Sequence, residues 1–248
     1  MKTLPVWSPP PGSLTLTPDA VHVWRARLDL DEESMDAMEA LLATEERARA
    51  ARFRFRRDRR RYVAACGQLR STLSGYLGCT PEAITFQYGA HGKPEVSALE
   101  FNVSHTGDIA LYAVALKRRV GIDVEAVRAL ADADRIVDRF FSAREVEAYR
   151  ALPAEERADA FVTCWTRKEA FIKALGEGLS HPLDAFDVTV RSDEPATLLA
   201  ARRDPAAADR WHMQALPVGA GYAATVTAED PPWDLTCFDA SARVPRHA

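Results

Sequence analysis

Two carboxylates, Asp123 and Glu125, are set into the run Val-Gly-Ile-Asp-Val-Glu at 120–125. Val120, Ile122 and Val124 alternate with Gly121, Asp123 and Glu125, the period of a half-buried strand, so both acids project from one face, a pleat apart. Carboxylates that close repel each other unless a proton, a cation or water lies between them. Farther along, Glu169 and Lys173 stand four apart in Trp-Thr-Arg-Lys-Glu-Ala-Phe-Ile-Lys (165–173) and therefore share one helix face. Trp165 precedes Glu169 by one turn, and Phe161, Phe171 and Ile172 lie close by. That helix is expected to pack into the body of the protein with a polar stripe toward a cleft. Three carboxylates, Asp123, Glu125 and Glu169, with a lysine nearby suit a hard divalent cation. Magnesium takes a few carboxylates and completes its shell with water and substrate phosphate, and no EF-hand spacing favours calcium. Each feature also has an ordinary reading: a surface Glu-to-Lys pair, and solvated acids on an open sheet face.

Phe-Asn-Val-Ser-His-Thr-Gly-Asp at 101–108 places Ser104 and His105 at a strand end entering a turn. Neighbours on a strand face opposite sides, so the two are not a nucleophile and its base. His105 is then either a structural turn residue or a phosphate contact. His-Gly-Lys-Pro at 91–94 is too short for a phosphate loop and lacks Walker spacing. Nine arginines run from Arg47 to Arg61; they form a solvated face or a dock for something anionic. Phe53 and Phe55, interleaved among them, keep open a nucleic-acid or anion-binding module. Their spacing equally suits a helix core, and the net charge of −4 opposes that module.

The elements that must position these groups read as follows. A Pro-rich segment covers 1–19, and 21–28 alternates as a strand. Helical spacing runs over 31–53, with Met35, Met38, Leu41 and Leu42 on one face, and resumes over 59–78, where Gly78 ends it. Residues 84–96 give a strand, a glycine-bearing loop and an extended exit. Residues 101–116 read as a hairpin turning at Thr106-Gly107-Asp108. Ser142 and Glu145 form a capping box. A long helix covers 158–178, stopped near Gly176 and Gly178, and strands follow at 185–190, 211–216 and 221–228. The two long helices share apolar positions, Tyr62 against Phe161 and Leu73 against Ile172, which suggests an internal duplication hinged near 117–119. Two unrelated α+β halves would give the same pattern. Strand and helix do not alternate regularly, so the class is α+β with mostly antiparallel strands.

The whole chain, 248 residues with 47% hydrophobic and 27% charged content, is that of an ordinary globular protein of one or two domains. Cys66, Cys79, Cys164 and Cys237 show no metal or disulfide spacing, which predicts reduced thiols and a cytoplasmic setting. The Pro9-Pro10-Pro11 run interrupts any signal-peptide core, and no apolar stretch approaches membrane-spanning length.

In order and spacing, Gly-Lys-Pro (92–94), 101–108, 120–125, Arg-Phe-Phe-Ser-Ala-Arg-Glu-Val-Glu-Ala-Tyr (139–149) and 165–186 together resemble the Sfp-type 4′-phosphopantetheinyl transferases. The match extends from about Arg47 to Asp187, and the two acidic motifs in combination are its most specific part. The resemblance implies a pseudo-dimer of two similar α+β halves, 1–118 and 119–248, with small, mostly antiparallel sheets and the active site between them. It implies transfer of the phosphopantetheine arm of coenzyme A to a serine of an apo acyl or peptidyl carrier protein, releasing adenosine 3′,5′-bisphosphate. Asp123, Glu125 and Glu169 would hold magnesium, or manganese in its place. Lys173 and Lys168 would neutralise pyrophosphate charge, and Glu169 would be the general base, directly or by way of a water. Ser104, His105 and Arg61 would meet the 3′-phosphate side of the coenzyme, with Lys93 and Pro94 beside the adenine. Among Arg47, Arg49 and Arg52 the phosphate contact stays open. The carrier would dock near 127–141, where Ala129, Leu130, Ile136 and Val137 offer an apolar edge to a partner helix. A monomer is expected, with neither nucleic acid nor membrane as partner.

Overall fold

The computed structural model describes residues 5–89 and 92–240. His91 of the His-Gly-Lys-Pro run and the first four residues of the Pro-rich segment lie outside the described residues. In the first half the chain forms β1 (Trp7–Ser8), β2 (Ala20–Arg27), α1 (Glu32–Ala40), α2 (Thr44–Ala50) and α3 (Arg56–Leu77). Next come β3 (Gln87–Tyr88), β4 (Pro94–Glu95), β5 (Glu100–Thr106) and β6 (Ile109–Ala115). The second half begins with β7 (Val120–Ala126), α4 (Ala133–Phe140), α5 (Ala143–Arg150) and α6 (Ala154–Leu175). It continues through β8 (Phe186–Val188), β9 (Leu198–Ala201), α7 (Ala207–Arg210), β10 (Trp211–Ala215), β11 (Tyr222–Glu229) and β12 (Asp234–Asp239).

The fold is α+β, with two halves each built on one long helix. α3 and α6 are both 22 residues long, and each ends at a left-handed glycine, Gly78 and Gly176. A five-stranded sheet has the order β1-β12-β2-β6-β5, and a three-stranded antiparallel sheet the order β10-β11-β7. The last strand, β12, returns from the second half to run parallel between β1 and β2. The division at 118–119 therefore marks a change of sheet but not a break in packing.

Alternation along β2 explains how one strand serves two cores. Its Trp24 and Ala26 face α1 and α3 with Met38, Leu73, Phe101 and Tyr112. Val21 and Val23 face the second sheet, meeting Leu111, Ile122, Val124 and Val226 between the sheets. A third cluster gathers α4, α6 and β8 around Phe161, Phe171, Phe186 and Trp211.

The helical pattern expected over 31–53 is divided. α1 ends at Ala40, and α2 starts after Ala43, whose backbone N–H donates to Glu46. The buried Arg70 of α3 holds Glu46 (2.7 Å) and donates to the carbonyls of Pro81 and Ile84. α1 meanwhile approaches α3 at Gly67, where a Cβ would fall 2.8 Å from the Met38 Cβ and carbonyl oxygen. The two segments answer to different contacts on α3, so one straight helix cannot serve both.

Candidate active site at the seam between the halves

β7 is the edge of the small sheet, and its partnering with β11 leaves one side free of strands. Side chains of β5 satisfy that side: Asn102 Oδ1 accepts from the Ile122 N–H (2.9 Å) and Ser104 Oγ from the Val124 N–H (3.3 Å). Two strands are thus joined by side chains rather than by a ladder, and the seam between the halves runs along this line. Val120, Ile122 and Val124 point into the core between the sheets, as their period required. The opposite face of β7 meets α6. Gly121 has no alternative there, since a Cβ would lie 2.0 Å from the Ala170 carbonyl oxygen and 2.5 Å from the Ala174 nitrogen. This close approach brings Glu169 and Lys173 to the same place as Asp123 and Glu125.

Asp123 is buried. Its Oδ1 accepts from Lys173 Nζ (2.6 Å) and Ser104 Oγ (2.8 Å), while Lys173 also donates to Ser104 Oγ (3.2 Å). Its Oδ2 is buried with no hydrogen-bond partner among the described residues. Burial and then the charge of Asp123 push the Glu169 carboxyl up to about 7; Lys173 pulls it down, and Glu125 adds to the rise. Glu125 is raised as well, first by burial and then by Asp123, with a hydrogen bond to Thr106 and the charges of Lys173 and Arg128 opposing. The three acids therefore act on one another electrically. Among the described residues no three His, Cys, Asp or Glu side chains converge as a ready cation cage. The donor set nevertheless suits a hard divalent cation, because one acid carries a buried, unsatisfied oxygen and the other two are held against ionisation first by burial and then by the charge of Asp123.

His105 lies at the exposed end of β5, one residue past Ser104. Packing, then the charges of Lys173 and Arg61, hold its imidazole below the ordinary value. Arg61 reaches this end from α3 and donates from Nε and Nη2 to Asp108 Oδ1 (2.9 and 2.7 Å) in the β5–β6 turn. Lys93 and Pro94 line a cleft of about 220 Å³ together with Asn102, Lys173 and Gly176. An adjoining recess of about 240 Å³ shares Lys93, Pro94 and Gly176 and adds Arg119. Desolvation lowers the Lys93 ammonium, against the pull of Glu100 and Glu95. Lys93, Pro94 and Lys173 thus line the cleft, Ser104 bonds to Lys173, and the charges of Lys173 and Arg61 both act on His105.

Lys168 is a correction. It was expected at the pyrophosphate, but its side chain is fully buried on another face of α6. Its ammonium pairs with Glu145 (2.7 Å) and donates to the carbonyls of Leu183 (2.6 Å) and Phe186 (2.9 Å). Successive helix residues point about 100° apart, so neighbours such as Lys168 and Glu169 need not share a site. Val137 is a second correction: it is buried with Phe141 in the third core, so it offers nothing to a partner. Ala129 is exposed, and Leu130, Ile136 and Phe140 are partly so. The arginine block is largely spent within the chain. Arg56 and Arg60 pair with Glu32, Arg59 with Glu39 and Arg61 with Asp108, and Phe53 packs on Tyr62. No helix among the described residues is long and apolar enough to cross a membrane. Asn102, Thr106 and Glu145 shape the site or its supports and had not been singled out for those parts.

Two family models match successive parts of the chain. A family model described as the 4′-phosphopantetheinyl transferase superfamily matches residues 119–227. Another, for the N-terminal part of a 4′-phosphopantetheinyl transferase, matches 29–117. The chain is 42% identical over 201 residues to the 4′-phosphopantetheinyl transferase HetI of Nostoc sp., covering 79% of this chain and 84% of that one. It is 30% identical over 212 residues to Sfp of Bacillus subtilis, covering 84% and 92%. The crystal structure of the Thermotoga maritima holo-[acyl-carrier-protein] synthase overlaps 46% of this chain and 63% of its own, at a TM-score of 0.37 and 22% identity. The two matched family models and the relatives define a group-transfer enzyme. The chain belongs to the 4′-phosphopantetheinyl transferase superfamily, whose members move the phosphopantetheine arm of coenzyme A onto carrier proteins.

Proposed function

We propose that this chain moves phosphopantetheine from coenzyme A to a serine of an apo acyl or peptidyl carrier protein at the β5–β7–α6 seam, using a divalent cation held by Asp123, Glu125 and Glu169. The observation that carries it is the buried, unsatisfied Asp123 Oδ2 beside two carboxyls raised first by burial and then by the charge of Asp123. Magnesium, with manganese a substitute, would supply charge neutralisation of the pyrophosphate and polarise the transferred phosphoryl group.

The chain's own groups do the rest. Arg61, His105 and Ser104 bind the 3′-phosphate side of coenzyme A, and Lys93 and Pro94 flank the adenine. The carrier serine Oγ attacks the phosphorus that bears the pantetheine arm. The bond from that phosphorus to the bridging oxygen breaks, and adenosine 3′,5′-bisphosphate leaves with the electron pair. Glu169 takes the serine proton, directly or by way of a water; a cation beside it would draw its carboxyl below the value of about 7 that burial and Asp123 give the cation-free site. Lys173 balances charge on the departing phosphate. The remaining demand is positioning, which the two-sided seam meets by fixing β7 and α6 against each other. The carrier docks along the exposed side of 127–141, on Ala129, Leu130, Ile136 and Phe140, and the protein works as a cytoplasmic monomer.

The test is transfer by protein stripped with a chelator, then supplied with magnesium. Wild type is expected to be silent when stripped and restored by the cation, while Asp123→Ala stays inactive even at high magnesium. Transfer that persists after stripping would remove the cation from the proposal. A wild-type magnesium dependence in Asp123→Ala would remove Asp123 from the ligand set.

A further inference from the structure

Two buried threonines meet between α6 and β11. β11 pairs with β7 so that Thr225 lies directly opposite Asp123. Ala224, Val226 and Ala228 turn into the core between the sheets, so Thr225 turns the other way, toward α6, on the same face as Asp123. Thr166 of α6, three residues before Glu169, is fully buried, and Thr225 is 2% exposed. Thr166 Oγ1 lies 3.0 Å from the Thr163 carbonyl oxygen and 3.4 Å from Thr225 Oγ1. A carbonyl oxygen only accepts, so the single hydroxyl proton of Thr166 is committed to Thr163. Thr166 must then accept from Thr225, which settles where the Thr225 proton goes. Directly opposed residues of an antiparallel pair carry Cβ atoms about 4.5–5.5 Å apart, which puts the Thr225 hydroxyl within a rotation of the Asp123 carboxylate. Asp123 Oδ2 nonetheless has no hydrogen-bond partner among the described residues, because the one hydroxyl proton across from it is turned to Thr166.

Granted that Asp123 holds a cation, as proposed above, we infer that Thr166 keeps Asp123 Oδ2 open to that cation by holding the Thr225 proton on itself. Thr166 is a positioning residue, acting through Thr225 rather than on the cation. The 3.4 Å bond is long for two hydroxyls, and a carboxylate is the stronger acceptor. Without Thr166 Oγ1 the Thr225 hydroxyl therefore turns to Asp123, and the cation must displace or share that hydrogen bond.

A double-variant cycle on the purified full chain tests this. Manganese affinity is read from the electron paramagnetic resonance of the free ion in the presence of coenzyme A, with Tm measured alongside. Thr166→Val removes the acceptor and Thr225→Val removes the proton, each with little change of shape. Expected for Thr166→Val is a Kd weakened roughly tenfold, the lower end for a hydrogen bond to a charged group, since a carboxylate has about four lone-pair sites to share. Thr225→Val should bind as wild type does, and adding it to Thr166→Val should restore wild-type affinity. A packing defect would instead leave the double variant as weak as Thr166→Val, or weaker. Thr166→Ser keeps the hydroxyl and should match wild type. Should Thr166→Val not fold, Thr166→Ala removes the same acceptor and carries the same expectation. Wild-type affinity in the variant that lacks the acceptor, a weakened Thr225→Val, or no recovery in the double variant overturns the inference. Failure of the wild-type protein itself to bind manganese would instead count against the cation in the proposed function.

Discussion

Lys168→Met tests the distinction between a buried strut and a phosphate ligand. The substitution keeps the length of the side chain but removes its charge. It deletes the 2.7 Å pair with Glu145, the two hydrogen bonds to Leu183 and Phe186, and the ammonium that sits 4.2 Å from the centre of the Phe186 ring. Removing one partner of a buried pair costs about 3–5 kcal/mol. Glu145 keeps the N–H groups of Ser142 and Val188, so the lower end applies. For a chain of this size, about 3 kcal/mol corresponds to a fall in Tm of roughly 6–12 °C. The pH dependence follows from Glu145, whose carboxyl is raised by burial and lowered by Lys168. Without Lys168 its folded-state pKa rises further above the unfolded value. A carboxyl raised in this way favours the folded protein when protonated and weakens it when ionised. The deficit of the variant is therefore greatest at high pH and shrinks as pH falls. The assay is thermal unfolding followed by circular dichroism at pH 6 and pH 8, with transfer kinetics measured below the transition. Expected are the lower Tm, a wider gap at the higher pH and a KM for coenzyme A close to wild type. Wild-type thermal stability combined with a collapse of transfer would refute the reasoning and return Lys168 to the substrate.

Other outcomes follow from the same site. Glu169→Gln should gain stability over wild type as pH rises in the presence of a chelator. The Glu169 carboxyl, ordinarily at 4.5, stands at about 7 in the folded protein. Wild type accordingly loses stability between those values as pH increases, and the Gln variant does not. The Tm difference between the two proteins, measured across that window, checks the sign; a difference that shrinks with rising pH would contradict it. Gly121→Ala should lower Tm and transfer together, because its Cβ would meet α6 backbone at 2.0 Å and push Glu169 away from Asp123. Overpacking of this kind costs about 1–3 kcal/mol, and thermal unfolding with steady-state kinetics reads both effects. An unaffected transfer rate would mean that the β7–α6 spacing does not set the site.

The acidic strand and the Glu169–Lys173 helix were legible in the sequence because each rests on a local period. A period of two puts Asp123 and Glu125 on one face, and a separation of four puts Glu169 and Lys173 on another. The hairpin at 101–116 was likewise local, with Gly107 at its left-handed turn (φ 55°). What escaped depends on partners far away in the chain. Whether Lys168 faces the site is decided by Glu145 and the 183–186 turn, and nothing in Lys-Glu as letters reveals it. Asn102 clasps β7 only because β5 and β7 lie side by side without pairing, an arrangement set by the docking of two sheets. The division of the helix near 41–43 comes from Arg70 drawing Glu46 to a separate contact on α3. β12 follows Pro231-Pro232 and Trp233 and finds its place in the first half's sheet through a return that no short pattern records.

The central claim is that the seam acids perform the transfer, and the mass of the product carrier tests it most directly. An apo carrier protein is incubated with coenzyme A, magnesium and either wild-type protein or Glu169→Ala, and then weighed by mass spectrometry. The account predicts that wild type adds one phosphopantetheine arm per carrier serine and that folded Glu169→Ala adds none. Full loading of the carrier by Glu169→Ala, or no loading by wild type with any of several carriers, would contradict it.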